Sequence, residues 1–152
     1  MKKIDDYRNL LEVSKTASLQ ELKSAYRNAM KAWHPDKIQD DEAKKAEAES
    51  MSKLLIEAYH FLVSISPETK ELELPEYTNT LNTSSIKDFS HDKGVLKVEF
   101  TDGSVYEYLS VPKPIYQKIV NSDSASRMAK RHVFPNYVYR NVRKSAMVPE
   151  NA

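Results

Sequence analysis

Residues 18–37 read SLQELKSAYRNAMKAWHPDK, and this stretch decides the fold of the first half of the chain. Ser18 with Glu21 three positions later has the pattern of a capping box, which satisfies backbone N–H groups at a helix start. Apolar residues then recur at helical spacing. Pro35 lacks an N–H and disfavours a helical conformation in the residue before it. The sequence therefore predicts one amphipathic helix that ends at the loop His34-Pro35-Asp36.

Two further helices are predicted around this one. A second apolar stripe follows the loop, and Asp40 or Asp41 is placed to cap its helix. A shorter apolar stretch, Tyr7 to Val13, predicts a first helix that lies across the pair. The second stripe consists of Met51, Leu54, Leu55, Ala58, Tyr59, Leu62 and Val63.

Composition limits the classes of protein that remain. The chain has 152 residues, 40% hydrophobic and 30% charged, which is an ordinary globular balance for one large domain or two small ones. The absence of cysteine excludes disulfides and thiolate zinc sites. His34, His60, His91 and His132 lack ligand spacing, so neither a metal nor a cofactor is predicted. No leader and no apolar run long enough to span a membrane is evident, and a cytoplasmic location is expected.

The second half of the chain changes to a period of two. Leu96, Val98 and Phe100 alternate with charged residues, and Asp102-Gly103 then supplies a hairpin turn before a strand over 105–109. Residues 84–90 predict another strand. Pro114 suits the start of a helix, and Ser124 can cap a further helical turn. This half is predicted to be a small α+β module.

Charge and composition divide the chain into parts. Lys and Arg number 11 against 11 Asp and Glu over residues 1–66, 1 against 4 over 67–81, and 11 against 7 over 82–152. The middle segment contains Pro67 and Pro75 and shows no sustained period, which predicts a linker. The predicted organisation is a helical domain over 1–66, a linker over 67–82, an α+β domain over 83–144 and a tail over 145–152.

The first half resembles the J-domain family across residues 5–63. The resemblance rests on the order and spacing of Asp6-Tyr7, Leu10–Val13, Leu22–Arg27, Trp33–Lys37 and Glu57–Tyr59. It implies a helical hairpin that docks on a DnaK-type heat-shock chaperone and stimulates its ATP hydrolysis, which locks that chaperone onto a client protein. On this interpretation the protein is an activator of a partner ATPase and not itself an enzyme, and no catalytic residue is predicted.

The chaperone-binding residues are predicted on the helix and on the loop that follows it. Lys23, Arg27 and Lys31 are four apart, so their charged groups share one face, which suits an acidic partner surface. Asp36 is expected to meet a partner arginine, Pro35 to stiffen the loop and His34 to bond the last helix carbonyls. Lys37 completes the set. The alternative is a solvated helix face beside a purely local cap and turn.

The sequence departs from the J-domain pattern at several positions. Glu12 stands where a glycine is common, Asn28 and Ala32 replace frequent basic residues, and Ser52 occupies a core phenylalanine position, where Met51 is expected to fill the gap. No basic fourth helix is evident after Val63, and neither a Gly/Phe-rich stretch nor a cysteine-rich zinc region is present. These departures indicate the specialised class of J-proteins, in which another module chooses where the chaperone works.

That second module, residues 83–144, resembles the KTSC domain. The resemblance rests on Val98–Phe100, Gly103–Tyr108, Val111-Pro112 and Tyr116, and it implies a fold more than an activity, although RNA binding has been suggested for the family. Tyr106 and Tyr108 point to one side of their strand, an arrangement that can stack bases. The alternative is that both tyrosines pack the sheet.

A basic patch near the end of this module is the stronger indication of RNA binding. No acidic residue occurs from Met128 to Pro149, and nearby aromatic residues suit phosphate contacts combined with stacking. A solvated basic face, or docking against the acidic linker, is the alternative. The patch consists of Arg127, Lys130, Arg131, Arg140, Arg143 and Lys144.

Taken together, the sequence predicts an α+β protein of two domains that acts as a J-domain co-chaperone with a KTSC-like targeting module. Its predicted partners are a DnaK-type chaperone, a client protein and RNA. The rival interpretation is a KTSC-type nucleic-acid-binding regulator whose J-like head only recruits a chaperone or is inactive. An enzyme is disfavoured, because no nucleophile, phosphate loop or metal cluster is recognisable.

Overall fold

The computed structural model describes residues 2–34 and 41–145 of the chain. The chain divides into two units, Met1–Leu72 and Glu73–Ala152, and each has its own core. Across the described ranges, no helix has both the length and the apolar composition needed to cross a membrane. The elements are α1 (Lys2–Leu11), α2 (Leu19–Trp33), α3 (Glu42–Ser64), α4 (Pro67–Thr83), β1 (Ile86–Asp92), β2 (Val95–Phe100), β3 (Val105–Tyr108), α5 (Lys113–Val120), α6 (Ala125–His132) and β4 (Tyr139–Arg143).

The starts of the two long helices match their predicted caps. The Glu21 N–H donates to Ser18 Oγ at 3.1 Å, and the Ser18 N–H donates to a Glu21 carboxylate oxygen at 3.4 Å, which completes the capping box of α2. Asp41 caps α3 by accepting from the N–H groups of Ala43 and Lys44 at 2.9 and 3.3 Å. Asp40, the other candidate, lies outside the described residues.

Helix α3 provides the surface on which α1 and α2 pack. The Tyr7 ring of α1 meets Phe61 of α3 edge to face, with centroids 5.3 Å apart, and Tyr26 of α2 stacks on Tyr59 at 4.5 Å. The three-helix prediction is thus confirmed. The buried apolar residues of this unit are Ile4, Tyr7, Leu11, Ala17, Leu22, Ala48, Leu55, Ala58, Phe61, Leu62 and Ile65.

The backbone conformation of Glu12 explains why glycine is common at this position in the J-domain pattern. The Val13 N–H donates to the Arg8 carbonyl at 3.0 Å and the Glu12 N–H to the Asn9 carbonyl at 3.2 Å. This is the Schellman arrangement that closes a helix, and it requires a left-handed residue at the Glu12 position. Glu12 has φ 58°, a conformation that costs a residue with a Cβ about 1–2 kcal/mol.

Replacing Glu12 with glycine is therefore expected to stabilise the N-terminal unit by about 0.5–1 kcal/mol, after allowance for the extra freedom glycine gives the unfolded chain. Urea denaturation followed by the fluorescence of Trp33, the single tryptophan, would measure the change. Glu12→Ala is the matched control, because it removes the same carboxylate and keeps the Cβ. An equal gain in both variants, or a loss in Glu12→Gly, would contradict this explanation.

Residues 67–83 form a helix, so the prediction that this segment is a linker without a sustained period was wrong, although the helix is not the basic fourth helix whose absence was noted. Leu72 and Leu74 of α4 are exposed, and one of its buried residues is polar, Thr80, so counting apolar residues did not reveal a helical face. Pro75 lies inside the helix, where it removes one backbone hydrogen bond. In the first turn of α4, the Glu68 carboxylate accepts a hydrogen bond of 3.1 Å from the Leu19 N–H at the start of α2. The fourth helix thus exists, and it is acidic.

The C-terminal unit contains a four-stranded antiparallel sheet in the order β1-β2-β3-β4. The three predicted strands and the turn at Asp102-Gly103 are confirmed, as are the two helices and the Ser124 cap, whose Oγ accepts from the Arg127 N–H at 3.2 Å. The fourth strand was not predicted. It pairs with β3, setting Arg140 opposite Glu107 and Tyr139 opposite Tyr108.

One face of this sheet forms the core of the unit. Alternate residues of β2 and β3 are almost fully buried there, together with Tyr77 from α4, Ile119 from α5 and Ala129 from α6. The register pairs Lys97 with Glu107, and Glu107 with Arg140, on the opposite face. The sheet therefore separates an aromatic core from a charged surface. The strand residues of the core are Leu96, Val98, Phe100, Tyr106 and Tyr108.

Candidate functional site

The cationic stripe predicted on α2 lies at the surface. Lys23, Arg27 and Lys31 are all exposed, whereas Leu22 on the other side of the helix is buried. Within the described ranges, no acidic side chain lies at ion-pair distance from any of the three. The stripe is thus available to a partner, and it also fits the alternative of a solvated face.

The end of α2 is held by α3. The His34 N–H donates to the Met30 carbonyl at 2.9 Å, and the backbone of His34 then turns to an extended conformation with ψ 129°, as predicted. Ser52 of α3 is 7% exposed, and its hydroxyl donates to the Trp33 carbonyl at 3.1 Å. This bond satisfies one of the carbonyls that a helix end leaves without an intrahelical partner.

Ser52 therefore performs a role that its position in the family pattern did not suggest. Its hydroxyl connects the middle of α3 to the residue just before His34. Of the residues predicted to bind the chaperone, Pro35, Asp36 and Lys37 lie outside the described part of the chain. The structure places the other four on α2 and at its C-terminal end.

The paired tyrosines of β3 lie in the core, which contradicts the interpretation that they form a base-stacking surface and confirms the alternative that they pack the sheet. Tyr106 is 1% exposed and Tyr108 is fully buried. The hydroxyls of Tyr108 and Tyr77 are 2.9 Å apart, and Tyr77 stacks on Tyr139 with centroids at 3.9 Å. Burial raises the pKa of Tyr77, Tyr106 and Tyr108 well above the usual value. A base would reach these rings only if the core opened.

The predicted basic patch divides into two parts. Arg140 pairs with Glu107 at 2.6 Å, and Arg143 pairs with Glu99 at 3.2 Å and donates from Nε to the Gly103 carbonyl at 2.8 Å. Lys144 lies near Glu73, where its charge opposes the rise in the Glu73 pKa that partial burial causes. The sequence shows no acidic residue nearby, but the sheet brings Glu107 of β3 and Glu99 of β2 close to β4. The six residues of the predicted patch therefore do not share one open surface, and Lys144 near Glu73 fits the alternative of docking against the acidic segment.

The other part of the patch is exposed to solvent. Arg127, Lys130 and Arg131 are exposed on α6, and none of them is within ion-pair distance of an acidic side chain in residues 2–34 and 41–145. We name these three residues the α6 cations. In the described part of the chain, residues 2–34 and 41–145, no cluster of His, Cys, Asp or Glu could hold a metal ion.

Two family models match separate parts of the chain. The DnaJ domain model matches residues 6–71, which contain most of α1, all of α2 and α3, and the first turn of α4. The KTSC domain model matches residues 82–145, which contain the whole sheet together with α5 and α6. The residues between the two matches lie in α4.

Curated relatives are similar to the first of these parts. DnaJ homolog subfamily C member 11 from Bos taurus is 41% identical over 68 residues, which are 45% of this chain and 12% of that protein. Chaperone protein DnaJ from Nitratiruptor is 42% identical over 72 residues, 47% of this chain and 17% of that protein. Chaperone protein DnaJ from Chlamydia felis is 49% identical over 57 residues, 38% of this chain and 14% of that protein. The chain thus spans less than a fifth of these relatives' lengths, and it carries a DnaJ domain over residues 6–71 followed by a KTSC domain over residues 82–145.

Proposed function

We propose that this protein is a DnaJ-type co-chaperone that docks on a DnaK-type heat-shock ATPase and stimulates its ATP hydrolysis, without being an enzyme itself. The carrying observation is the exposed stripe of Lys23, Arg27 and Lys31, which leads to the end of α2 at His34. Charge complementarity with an acidic surface raises the encounter rate and sets the orientation of a partner. The names of the relatives, DnaJ homolog and chaperone protein DnaJ, support the same function.

Single-turnover ATP hydrolysis by a DnaK-type chaperone tests this proposal. We expect the wild-type protein to accelerate hydrolysis and His34→Gln to return it to the chaperone's own rate. Reversal of the stripe in Lys23→Glu/Arg27→Glu should raise the concentration needed for half-maximal stimulation by about tenfold or more, because it removes charge-assisted contacts. Stimulation by the double reversal should also become less sensitive to salt.

Lys118→Glu is the matched control, because Lys118 is an exposed lysine in the C-terminal unit. It should stimulate like the wild type. Circular dichroism would establish that each variant folds. Equal rates for wild-type protein and His34→Gln, or no acceleration by either, would refute the proposal.

The KTSC domain is proposed as the targeting module that selects the client or the place of action. The rival function is an RNA-binding regulator whose DnaJ domain recruits a chaperone without activating it, and the exposed α6 cations favour it. A measurement of chaperone binding beside the ATPase assay separates the two proposals. Binding without acceleration supports the rival, whereas binding with acceleration that depends on His34 supports the co-chaperone.

A further inference from the structure

The C-terminal unit has a surface pocket of about 370 Å³ where α5 gives way to α6. Its lining residues belong to the short connection between these helices and to α6, and they do not include Arg140 or Arg143, which pair with carboxylates on the sheet. Two of the α6 cations, Arg127 and Arg131, contribute to its wall. The other residues that matter for its chemistry are Asn121, Ser122, Asp123 and Ser124.

The backbone around the pocket is fixed by local bonds. The Ser122 hydroxyl donates to the Ile119 carbonyl at 2.7 Å, and Ser124 Oγ accepts from the Arg127 N–H. Ile119 and Ala129 anchor the two helices in the core. The hydroxyl hydrogen of Ser122 is thus already used, whereas the two guanidinium groups, the Asn121 amide and the Ser124 hydroxyl are the side-chain donors that line the pocket for a ligand.

Arg127 and Arg131 are four residues apart, which places their side chains on the same face of α6. Neither pairs with a carboxylate of the described residues, in contrast to Arg140 and Arg143 on the sheet. Asp123 also borders the pocket, so these three side chains together carry one net positive charge. The net positive charge and the planar forked donors of the two arginines are complementary to a tetrahedral oxyanion.

We propose that this pocket binds a phosphate group. Each guanidinium can donate two parallel hydrogen bonds to phosphate oxygens, and both arginines line the same pocket. The phosphate belongs either to a small phosphate ester or to a nucleic-acid chain, for which Lys130 provides a further contact to a neighbouring phosphate. The site is independent of the chaperone contacts proposed above, because it uses none of the residues of α2.

The first test is a titration of the full-length protein with inorganic phosphate, followed by NMR of the backbone amides. We expect saturable shifts confined to residues around Arg127 and Arg131, which sodium chloride at equal ionic strength does not reproduce. Arg127→Gln/Arg131→Gln should weaken binding by about tenfold or more. Asp123→Asn should tighten it, because a repelling charge is removed.

Lys118→Glu serves again as the control, with an exposed charge reversed outside the pocket wall. A short single-stranded RNA in place of phosphate then distinguishes the source. RNA binding that is lost in the arginine double variant assigns a nucleic-acid chain, whereas phosphate binding without RNA binding assigns a small ester. The proposal is wrong if phosphate shifts are unsaturable, if chloride reproduces them, or if a folded double variant binds phosphate like the wild type.

Discussion

Tyr108→Ala is expected to lower the free energy of unfolding of the C-terminal unit by about 3–5 kcal/mol, as for large aromatic residues truncated in other cores. Tyr108 is fully buried and lies opposite Leu96 on one neighbouring strand and Tyr139 on the other. Its ring also stacks on Phe134 at 5.3 Å. Truncation would leave a cavity at the centre of the sheet and remove the partner of the buried Tyr77 hydroxyl.

Urea denaturation followed by NMR signals of the C-terminal unit would measure this loss. Tyr108→Phe keeps the ring and removes only the hydroxyl, so we expect a smaller cost of about 1–2 kcal/mol. Tyr137→Phe, on a half-buried residue outside the strands, is a control with little expected effect. A cost for Tyr108→Ala below that of Tyr108→Phe would show that the core does not depend on this ring.

Alkaline pH is expected to unfold the C-terminal unit cooperatively. Burial raises the pKa of Tyr108 and Tyr77 in the folded protein, whereas an unfolded tyrosine titrates near 10.0. Above pH 10 the unfolded chain therefore loses protons that the folded chain keeps, and each of these two tyrosines favours unfolding by about 1.4 kcal/mol per pH unit. Their contribution to stability is complete below pH 10 and is lost as the pH rises toward their folded pKa.

Ultraviolet absorbance of tyrosinate and circular dichroism, recorded together against pH, would test this expectation. The signal from Tyr77 and Tyr108 should appear together with loss of sheet structure. In Tyr77→Phe/Tyr108→Phe the stability should fall less steeply with pH. If all nine tyrosines ionised near pH 10 while the sheet stayed folded, the prediction would be wrong.

The sequence predicted those elements whose local signals agree with their packing. Ser18 and Glu21 cap a helix that also has an apolar face, and Asp102-Gly103 joins two strands with clean alternation. In each case, short-range chemistry and burial indicate the same structure. Such agreement between local sequence signals and the pattern of burial allows a single sequence to be interpreted without relatives.

Two elements were missed because their packing depends on partners far along the chain. The core-facing residue Asn141 of β4 is polar, and its amide donates to the carbonyls of Val105 and Arg143 at 3.2 and 2.9 Å. Thr80 of α4 is buried because its hydroxyl donates to Asp102 at 2.7 Å. An apolar count scores both residues as exposed, although hydrogen bonds allow Thr80 to be buried and Asn141 to be half-buried.

In the candidate chaperone site, too, the local features were predicted from the sequence and the long-range contacts were not. Spacing alone placed Lys23, Arg27 and Lys31 on one face of a helix, and the structure leaves that face open. The contact of Ser52 with Trp33 joins residues 19 positions apart and has no local signal. The pairing of Arg140 with Glu107 required a strand that the sequence did not reveal.

The hydrogen bond from Ser52 to Trp33 means that the structure at the C-terminal end of α2 depends on α3. A synthetic peptide of residues 18–37 would contain the cations and the His-Pro-Asp letters, but it would lack the hydroxyl that holds the last turn. An isolated helix of that length is marginal in water. Any attempt to graft the proposed chaperone contact onto another scaffold, or to block it with a short mimic, would have to include α3 as well.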